Sequence, residues 1–471
     1  MKQNYSVVIP DHINQQLLYH LMREDGDEEV CFALYNPGAG LLRFTAIIDE
    51  VILPEEGDRQ VHGNVSFNPE YYERVLQEAR KKQKGLVLLH IHPSPGFQKM
   101  SNDDVKAETR MAGAVKSVTG LPFLGLTAGN DGTWSARFWF RAKTKRKQYK
   151  RQWCESVRVL GNKLKIHFNN DLRKPNINEE ALLRTISAWG RKTQEDISRM
   201  KICIVGLGSV GSMVAECLAR TGFADFTLID FDLFEEKNRD RSMNVKKKHV
   251  GKRKVDVIAQ AMKENGTAQR ITVKKYPFSI YKEEAFKAAL DCDVIFSCVD
   301  RPHPRQILNL IAYAYMIPVV DGGILVRTNK TNTKLVGADW KIQTVGYERP
   351  CLECLEQFTS TLANLDKEGK LDDPKYMEGA DESIRRLVSN ENVFAFSMNV
   401  ASLEVLQLLS LIVLPEYLAK TNQQFYHFTT REFEKEPKSE CNDNCFYKAM
   451  TGLGDNTAVI MYEQIGHEEE V

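Results

Sequence analysis

The chain has 471 residues, which at about 150 residues per domain suggests two or three domains. Hydrophobic residues make up 42% and charged residues 27%, a globular balance that excludes a disordered chain. Lys+Arg 64 against Asp+Glu 63 leaves a net charge of +1, without the basic excess on which a general nucleic-acid or membrane-surface binder depends. No apolar run approaches the ~20 residues of a membrane helix. The start, MKQNYSVVIPDHINQQ, lacks the basic-then-apolar order of a secretory signal, so a soluble, cytoplasmic protein is expected. Ten cysteines are too few for a disulfide scaffold in a chain this long.

The first 150 residues read as α/β. LLRFTAIIDEVIL alternates like a strand, YYERVLQEARKKQ has helical spacing, GLVLLHIH is a buried strand and WSARFWF is another. Within them His90-Ile-His92-Pro93 precedes Ser101-Asn-Asp-Asp104 and the helical VKAETRMAG. Two histidines at i, i+2 on a strand share one face, and an Asp on the following helix can complete three ligands. A fourth position then stays open for water, as a catalytic Zn²⁺ requires. His20, His62 and His167 have no such companions and read as surface or packing residues.

This segment resembles the JAMM (JAB/MPN) family of deubiquitinating metalloproteases, over about residues 1–140. The resemblance implies a zinc site of His90, His92 and Asp104, with Ser101 supporting an oxyanion. Glu29 would be the general base, with the adjacent Glu28 as the alternative. The loop from His92 to Ser101 is one residue longer than the commonest family form.

A basic run, KTKRKQYKR at 143–151, opens a polar stretch expected to be a helical connector over 151–199 that includes ALLRTISAWG. A βαβ series follows: KICIVG (201–206), a helix from Ser209, FTLID (226–230), DVIFSC (293–298) and IPVVDGG (317–323). Short apolar strands alternating with helices indicate a parallel sheet covered on both faces. Cys203, Cys217, Cys292 and Cys298 sit among apolar neighbours and read as core.

Gly206-Leu-Gly208-Ser-Val-Gly211 lies between a strand and a helix, where glycines permit a tight turn and the helix start favours phosphate. Asp230 ends the next strand, placed for ribose hydroxyls. That much would also suit an NAD dehydrogenase. Downstream come Asp232, Asn238, Arg241, Lys254, Asp300 and Arg305, a set suited to an enzyme joining a carboxylate to the α-phosphate of ATP. Such an enzyme brings two anions together, and cations with a Mg²⁺ ligand offset their repulsion.

Over roughly 180–460 the chain resembles the ThiF/MoeB superfamily, the adenylating core of ubiquitin-activating enzymes. The resemblance implies that Asp230 binds ribose, that Asn238, Arg241 and Lys254 contact phosphates, and that Asp300 assists Mg²⁺. It further implies a homodimer in which Arg184 reaches the partner's ATP. Cys351-Leu-Glu-Cys354 and Cys441-Asn-Asp-Asn-Cys445 suit a closed four-thiolate Zn²⁺ site, although the second pair has one residue more than the family's CxxC. No cysteine lies between Cys354 and Cys441, where thioester-forming relatives carry their nucleophile.

The expectation is therefore an α/β protein in three segments: a JAB/MPN-like domain (1–150), the connector (151–199), and a Rossmann-like, mostly parallel adenylation domain with a cysteine zinc site (200–471). Both halves would act on the C-terminal glycine of a ubiquitin-like or sulfur-carrier protein, using ATP, Mg²⁺ and two zinc ions. A separate conjugating enzyme would receive the activated modifier. Sulfur transfer for cofactor biosynthesis, or one inert half serving as a binding module, are the alternatives.

Overall fold

The computed structural model describes residues 3–457 apart from 63, 143–147, 330–333, 380–390, 416–417, 419 and 421. Most of the basic run at 143–151 thus lies outside the described residues. The chain forms two compact units, one from the segment up to Lys174 together with the described tail residues 452–457, the other from Pro175 to Thr451.

The first unit contains β1 (Asn4–Pro10), α1 (Asp11–Leu21), β2 (Val30–Ala39), β3 (Arg43–Ile52), β4 (Arg59–His62), β5 (Asn64–Phe67), α2 (Pro69–Lys81), β6 (Gly85–His92), α3 (Asn102–Thr119), β7 (Phe123–Gly129), β8 (Trp134–Arg141), β9 (Tyr149–Trp153), β10 (Ser156–Leu160) and β11 (Leu164–Phe168). All but the β4–β5 hairpin join one mixed sheet in the order β11-β10-β1-β3-β2-β6-β7-β8-β9. Alternate residues feed two cores. Cys31, Ala33, Val87, Leu89 and Ile91 pack with Ile13 and Leu17 of α1. Phe32, Leu34, Leu86 and Leu88 pack with Tyr71 and Val75 of α2 and Met111 and Val115 of α3. The period of two then carries His90 and His92 onto the α3 side of the sheet.

The helical connector expected over 151–199 does not form as such. Residues 149–168 supply β9, β10 and β11, and β10 pairs in parallel with β1, Val157 opposite Val7. SVRVL is apolar at alternate positions and its residues are all buried, a strand pattern that the neighbouring charges obscure. The described tail also departs from the expected 200–471 domain. Asn36 Nδ2 donates to Gly452 O at 2.9 Å, Asp455 Oδ2 accepts from Ala39 N at 2.9 Å, and both bonds fasten the tail to β2.

The second unit opens with α4 (Leu183–Trp189) and α5 (Arg191–Arg199) and continues β12 (Lys201–Val205), α6 (Ser209–Thr221), β13 (Asp225–Ile229), α7 (Lys254–Asn265), β14 (Thr272–Tyr276), α8 (Glu283–Leu290), β15 (Val294–Ser297), α9 (Pro302–Ala314), β16 (Val319–Thr328) and β17 (Leu335–Val345). After these come α10 (Ser360–Lys367), α11 (Pro374–Gly379), α12 (Phe394–Ile412), β18 (Gln424–His427), β19 (Glu432–Lys435) and α13 (Phe446–Ala449). The sheet order is β14-β13-β12-β15-β16-β17-β18-β19. Its first five strands run parallel, and β17 to β19 extend it antiparallel. This is the doubly wound Rossmann order, whose direction reverses between β12 and β15 and leaves a crevice at their carboxyl ends.

One helix does reach the length and apolarity of a membrane span, contrary to the expectation from sequence: α12, Phe394–Ile412. It packs against α6, β16 and β17, with Glu404 and Gln407 buried, as a core helix does.

Asn36 is fully buried and accepts from Asn456 Nδ2 while donating to the tail. Asn36→Ala is expected to destabilise the first unit by about 1–3 kcal/mol, because it strips partners from buried polar groups. Urea denaturation followed by tryptophan fluorescence, to which Trp134, Trp139 and Trp153 of the first unit contribute, would measure this, and an unchanged midpoint would count against the tail as part of the unit.

Candidate functional site

In the first unit, His90 Nε2 and His92 Nε2 lie 3.2 Å apart, and each stands 3.4 Å from an oxygen of Asp104. His90 faces Asp104 Oδ1 and His92 faces Asp104 Oδ2, and the ligand atoms lie within 4.8 Å of one another, a cluster compact enough for a single metal ion. The triangle forms because β6 delivers both imidazoles to one face and α3 begins opposite them. Ser101 caps α3: its Oγ accepts from Asp104 N at 3.1 Å, and Asp104 Oδ2 accepts from Ser101 N at 2.7 Å. The Ser-x-x-Asp spacing is thus a capping box that fixes where Asp104 points. Burial opposes the charge of Asp104, but hydrogen bonds from His90 and His92 hold its carboxyl below the usual range. The long loop before Ser101 is folded by Gln98, whose Nε2 donates to Ser94 O and Gly96 O, both at 2.8 Å.

Glu29 immediately precedes Val30, the register partner of His90. Its side chain is 1% exposed, whereas Glu28 is only half-buried. The Glu29 carboxylate accepts from Arg59 Nε at 2.5 Å and Arg59 Nη2 at 2.7 Å, and Arg23 Nη1 is 3.3 Å away. Burial would raise its pKa, but the Arg59 hydrogen bonds and charge, with the Val30 amide, keep it low. His20 Nε2 stands 3.8 Å from the same carboxylate. Arg23, Arg59 and His20 were not legible as site residues, since they reach Glu29 from the end of α1, the segment after it and the β4–β5 hairpin and share no local spacing with it. His167 is a packing residue as expected, its Nδ1 accepting from Trp134 N at 2.9 Å.

In the second unit the glycine loop lies at the reversal of strand order. Gly206 adopts φ +86°, and a Cβ there would meet Cys298 O at 2.5 Å. A Cβ on Gly211 would stand 1.9 Å from Gly206 O, so both glycines are needed for close backbone approach. Gly208, at the start of α6, has nothing within 4 Å of such an atom and leaves the helix start open.

Asp230 accepts from Leu207 N at 2.6 Å and Asp232 N at 2.8 Å, which ties the next strand end to this loop. Burial pushes its carboxyl up in spite of Lys254. Lys254 Nζ lies 2.7 Å from Asp232 and 4.0 Å from Asp230. These four elements come together. Asn238 and Arg241 instead bond within their own loop, Asn238 Oδ1 to Glu235 N at 2.9 Å and Arg241 Nη1 to Lys237 O at 2.6 Å. That loop is pinned on α6 through Met243 N donating to Ser212 Oγ at 2.9 Å and Asn244 Nδ2 donating to Glu216 at 2.8 Å. Asp300 is exposed beyond β15, and Arg184 is exposed on α4. Arg305, grouped with the anion-binding cations from sequence, is turned inward: its Nε is 3.2 Å from the fully buried Asp321. Asp321 also accepts from Ser297 Oγ and Gln343 Nε2, each at 2.6 Å, so it completes a structural network under the crevice.

Cys351, Cys354, Cys441 and Cys445 bring their sulfurs within 4.8 Å of one another. The Cys351–Cys445 distance is 3.7 Å, the spacing of about 3.7–3.8 Å expected for sulfurs ~2.3 Å from one Zn²⁺. Backbone N–H groups point at them, Cys354 N at Cys351 and Cys351 N at Cys441. Hydrogen bonding from Cys351 pulls the Cys441 thiol below its usual range. The extra residue between Cys441 and Cys445 does not remove Cys441 from the cluster.

The ThiF family pattern matches residues 181–446. The chain belongs to the ThiF family. Among curated relatives, it is 30% identical over 139 residues to the tRNA threonylcarbamoyladenosine dehydratase of Escherichia coli K12, covering 30% of this chain and 52% of that one. It is 27% identical over 184 residues to the Molybdopterin-synthase adenylyltransferase of the same organism, covering 38% and 67%. A SUMO-activating enzyme subunit 2 from Dictyostelium discoideum matches at 27% over 143 residues, covering 29% of this chain and 21% of that protein. The chain thus spans about half or less of the length of several relatives it matches. The crystal structure of E. coli MccB aligns with a TM-score of 0.44 at 16% identity, covering 58% of this chain and 73% of that one.

Gly206→Ala is expected to destabilise the second unit by about 1–3 kcal/mol through positive φ and the Cys298 contact. Gly208→Ala should cost only about 0.5–1 kcal/mol as a poorer helix cap. Equal effects of the two in thermal denaturation would contradict the geometry of this loop.

Proposed function

We propose that this ThiF-family protein acts at the C-terminal glycine of a ubiquitin-like or sulfur-carrier protein. Its second unit would adenylate the glycine carboxylate with ATP. Its first unit would be a JAMM-type zinc metalloprotease that hydrolyses the bond following that glycine, maturing a precursor or removing the modifier from a target. The observation that carries adenylation is the Leu207–Asp230–Asp232–Lys254 cluster at the strand reversal. The observation that carries hydrolysis is the triangle of His90, His92 and Asp104.

In adenylation a carboxylate oxygen attacks the α-phosphorus, the bond to the bridging oxygen breaks, and pyrophosphate leaves. Asp230 would accept the ribose hydroxyls. Lys254, released from Asp232, would meet the phosphates with Asn238 and Arg241, and the open start of α6 would face the same anion. Asp300 would hold the Mg²⁺ that accompanies ATP, and a homodimer would bring Arg184 to the partner's nucleotide.

In hydrolysis, a zinc ion on His90, His92 and Asp104 would supply a polarised water and a polarised carbonyl. Glu29 takes the water proton and returns it to the leaving amine, while the Ser101 hydroxyl donates to the carbonyl oxygen. A carboxylate doubly bonded to Arg59 is a poor base, so Arg59 has to turn away for Glu29 to work. The four cysteines would hold a second, structural zinc that ties Cys441–Cys445 to the core of the second unit.

A second reading, sulfur transfer to the activated carrier, is favoured by the lack of a cysteine between Cys354 and Cys441. Under the first reading a separate conjugating enzyme supplies the thiol.

Two variants test the proposal. Elemental analysis should find two zinc ions per chain, falling to one in His92→Ala; one zinc in both would remove the protease reading. Carrier-dependent ATP–pyrophosphate exchange should be abolished by Lys254→Ala with hydrolysis of a glycine-linked fusion retained, and undiminished exchange would sink the assigned role of Lys254.

A further inference from the structure

The basic segment KKKHVGKRK, residues 246–254, supplies only Lys254 to the adenylation scheme. Part of the remainder borders a cavity of about 370 Å³ in the second unit, between the segment 244–252 and α7. That volume falls within the range of small-molecule sites, about 300–1,000 Å³. Gly206, Asp230, Asp232 and Lys254 do not line it, so it is separate from the crevice beside the glycine loop.

Three lysines give the cavity uncompensated charge. Lys246, Lys248 and Lys252 line it and have no carboxylate partner among the described residues. The two carboxylates in the lining are engaged with other residues: Asp256 accepts from Lys275 Nζ at 2.5 Å, and Glu264 from Gln260 Nε2 at 2.7 Å. The lysines stand on a fixed turn. Lys246 N donates to His249 Nδ1 at 3.2 Å, Phe234 N to Lys252 O at 2.9 Å and Gly251 N to Phe234 O at 2.7 Å. Burial, and then the charges of Lys248, Lys252 and Lys246, hold His249 below its usual range, the mark of a concentrated positive field. Two amides line the same cavity. Asn244 Nδ2 donates at 2.8 Å and Asn265 Nδ2 at 3.0 Å to Oε2 of Glu216, which is 8% exposed. Anchored in this way, each amide keeps its carbonyl oxygen as an acceptor. Lys252 lies just before α7 and Asn265 ends it, and from Asp256 to Asn265 the helix rises about 13 Å, room for a phosphate with a sugar attached.

We propose that this cavity binds a phosphorylated small molecule of the sugar- or nucleoside-phosphate class, its phosphate held by Lys246, Lys248 and Lys252 and its hydroxyl-bearing part by Asn244 and Asn265. Phosphate is the anion that matches three lysine point charges on a rigid turn, and hydroxyls are the donors that two anchored amide oxygens accept. The site is independent of the adenylation reading, since it shares no lining residue with the crevice.

The test is calorimetric titration of the full chain with glucose 1-phosphate and, as the bare anion, pyrophosphate. It is run in a Lys254→Ala background, which removes a cation of the crevice and none of the cavity. That protein should bind one glucose 1-phosphate per chain. Adding Lys248→Ala and Lys252→Ala should weaken binding by about 10–100-fold, the worth of losing hydrogen bonds to a charged group. Adding Lys248→Arg and Lys252→Arg instead should keep it. No binding of either probe, equal affinity after the alanine substitutions, or equal weakening by the arginine ones overturns the inference. Binding of pyrophosphate without glucose 1-phosphate overturns the assigned ligand class. A wild type without carrier-dependent ATP–pyrophosphate exchange would remove the adenylation reading and leave these titrations to decide the cavity.

Discussion

A charge taken out of water is tolerated in a protein only where an opposite charge or enough hydrogen-bond donors meet it, and both units are organised around that constraint. Glu108 and Arg137 meet in the middle of the first sheet, between α3 and β8, and Asp321 with Arg305 does the same beneath the second. Neither pair touches the open side of its site. Each sets the spacing between a helix and a sheet, and the residues at the ends of those elements inherit their positions. Replacing one partner would strand the other in the core, where the loss is several times that of a surface ion pair.

The two sites also share a geometric origin. Adjacent parallel strands end side by side, so their last side chains and following loops converge at the carboxyl ends. In the first unit, β6 and β7 run parallel and present His90 beside Thr127. In the second, β12 is flanked in parallel by β13 and β15, and the loops after these strands bring Gly206, Asp230 and Cys298 together. A helix start faces the convergence in each case. Beside the histidines it is α3, fixed by Ser101 and carrying Asp104. Beside the glycine loop it is α6, left open at Gly208.

Electrostatics separates the resting arrangement from a working one. Glu29 is held by Arg59, and Lys254 by Asp232, so a base and a cation central to the proposed chemistry are both engaged with neighbours. These pairs hold both side chains in place. Under the proposed function an incoming nucleotide would compete for Lys254 and a peptide for Arg59, so binding would be coupled to release of the internal partner.

Local chemistry was readable along the chain: the glycine loop after a strand, the His-x-His pair, the capping spacing of Ser101 and Asp104, and the two cysteine pairs. Each of these is encoded over a few residues by backbone geometry, which is why spacing alone reveals it. The parallel strand series was equally legible from its apolar runs. Tertiary structure decided what depends on distant segments. It put 149–168 into the first sheet although charged neighbours hide its alternation, and it returned Gly452–Thr457 to β2. It turned Arg305 inward to Asp321, paired Glu29 with Arg59, and set Arg137 between Thr127 and Glu108. Partners drawn from other strands and helices leave no periodic mark near the residue they serve, because a buried charge needs its counter-charge close in space and at no particular distance along the chain.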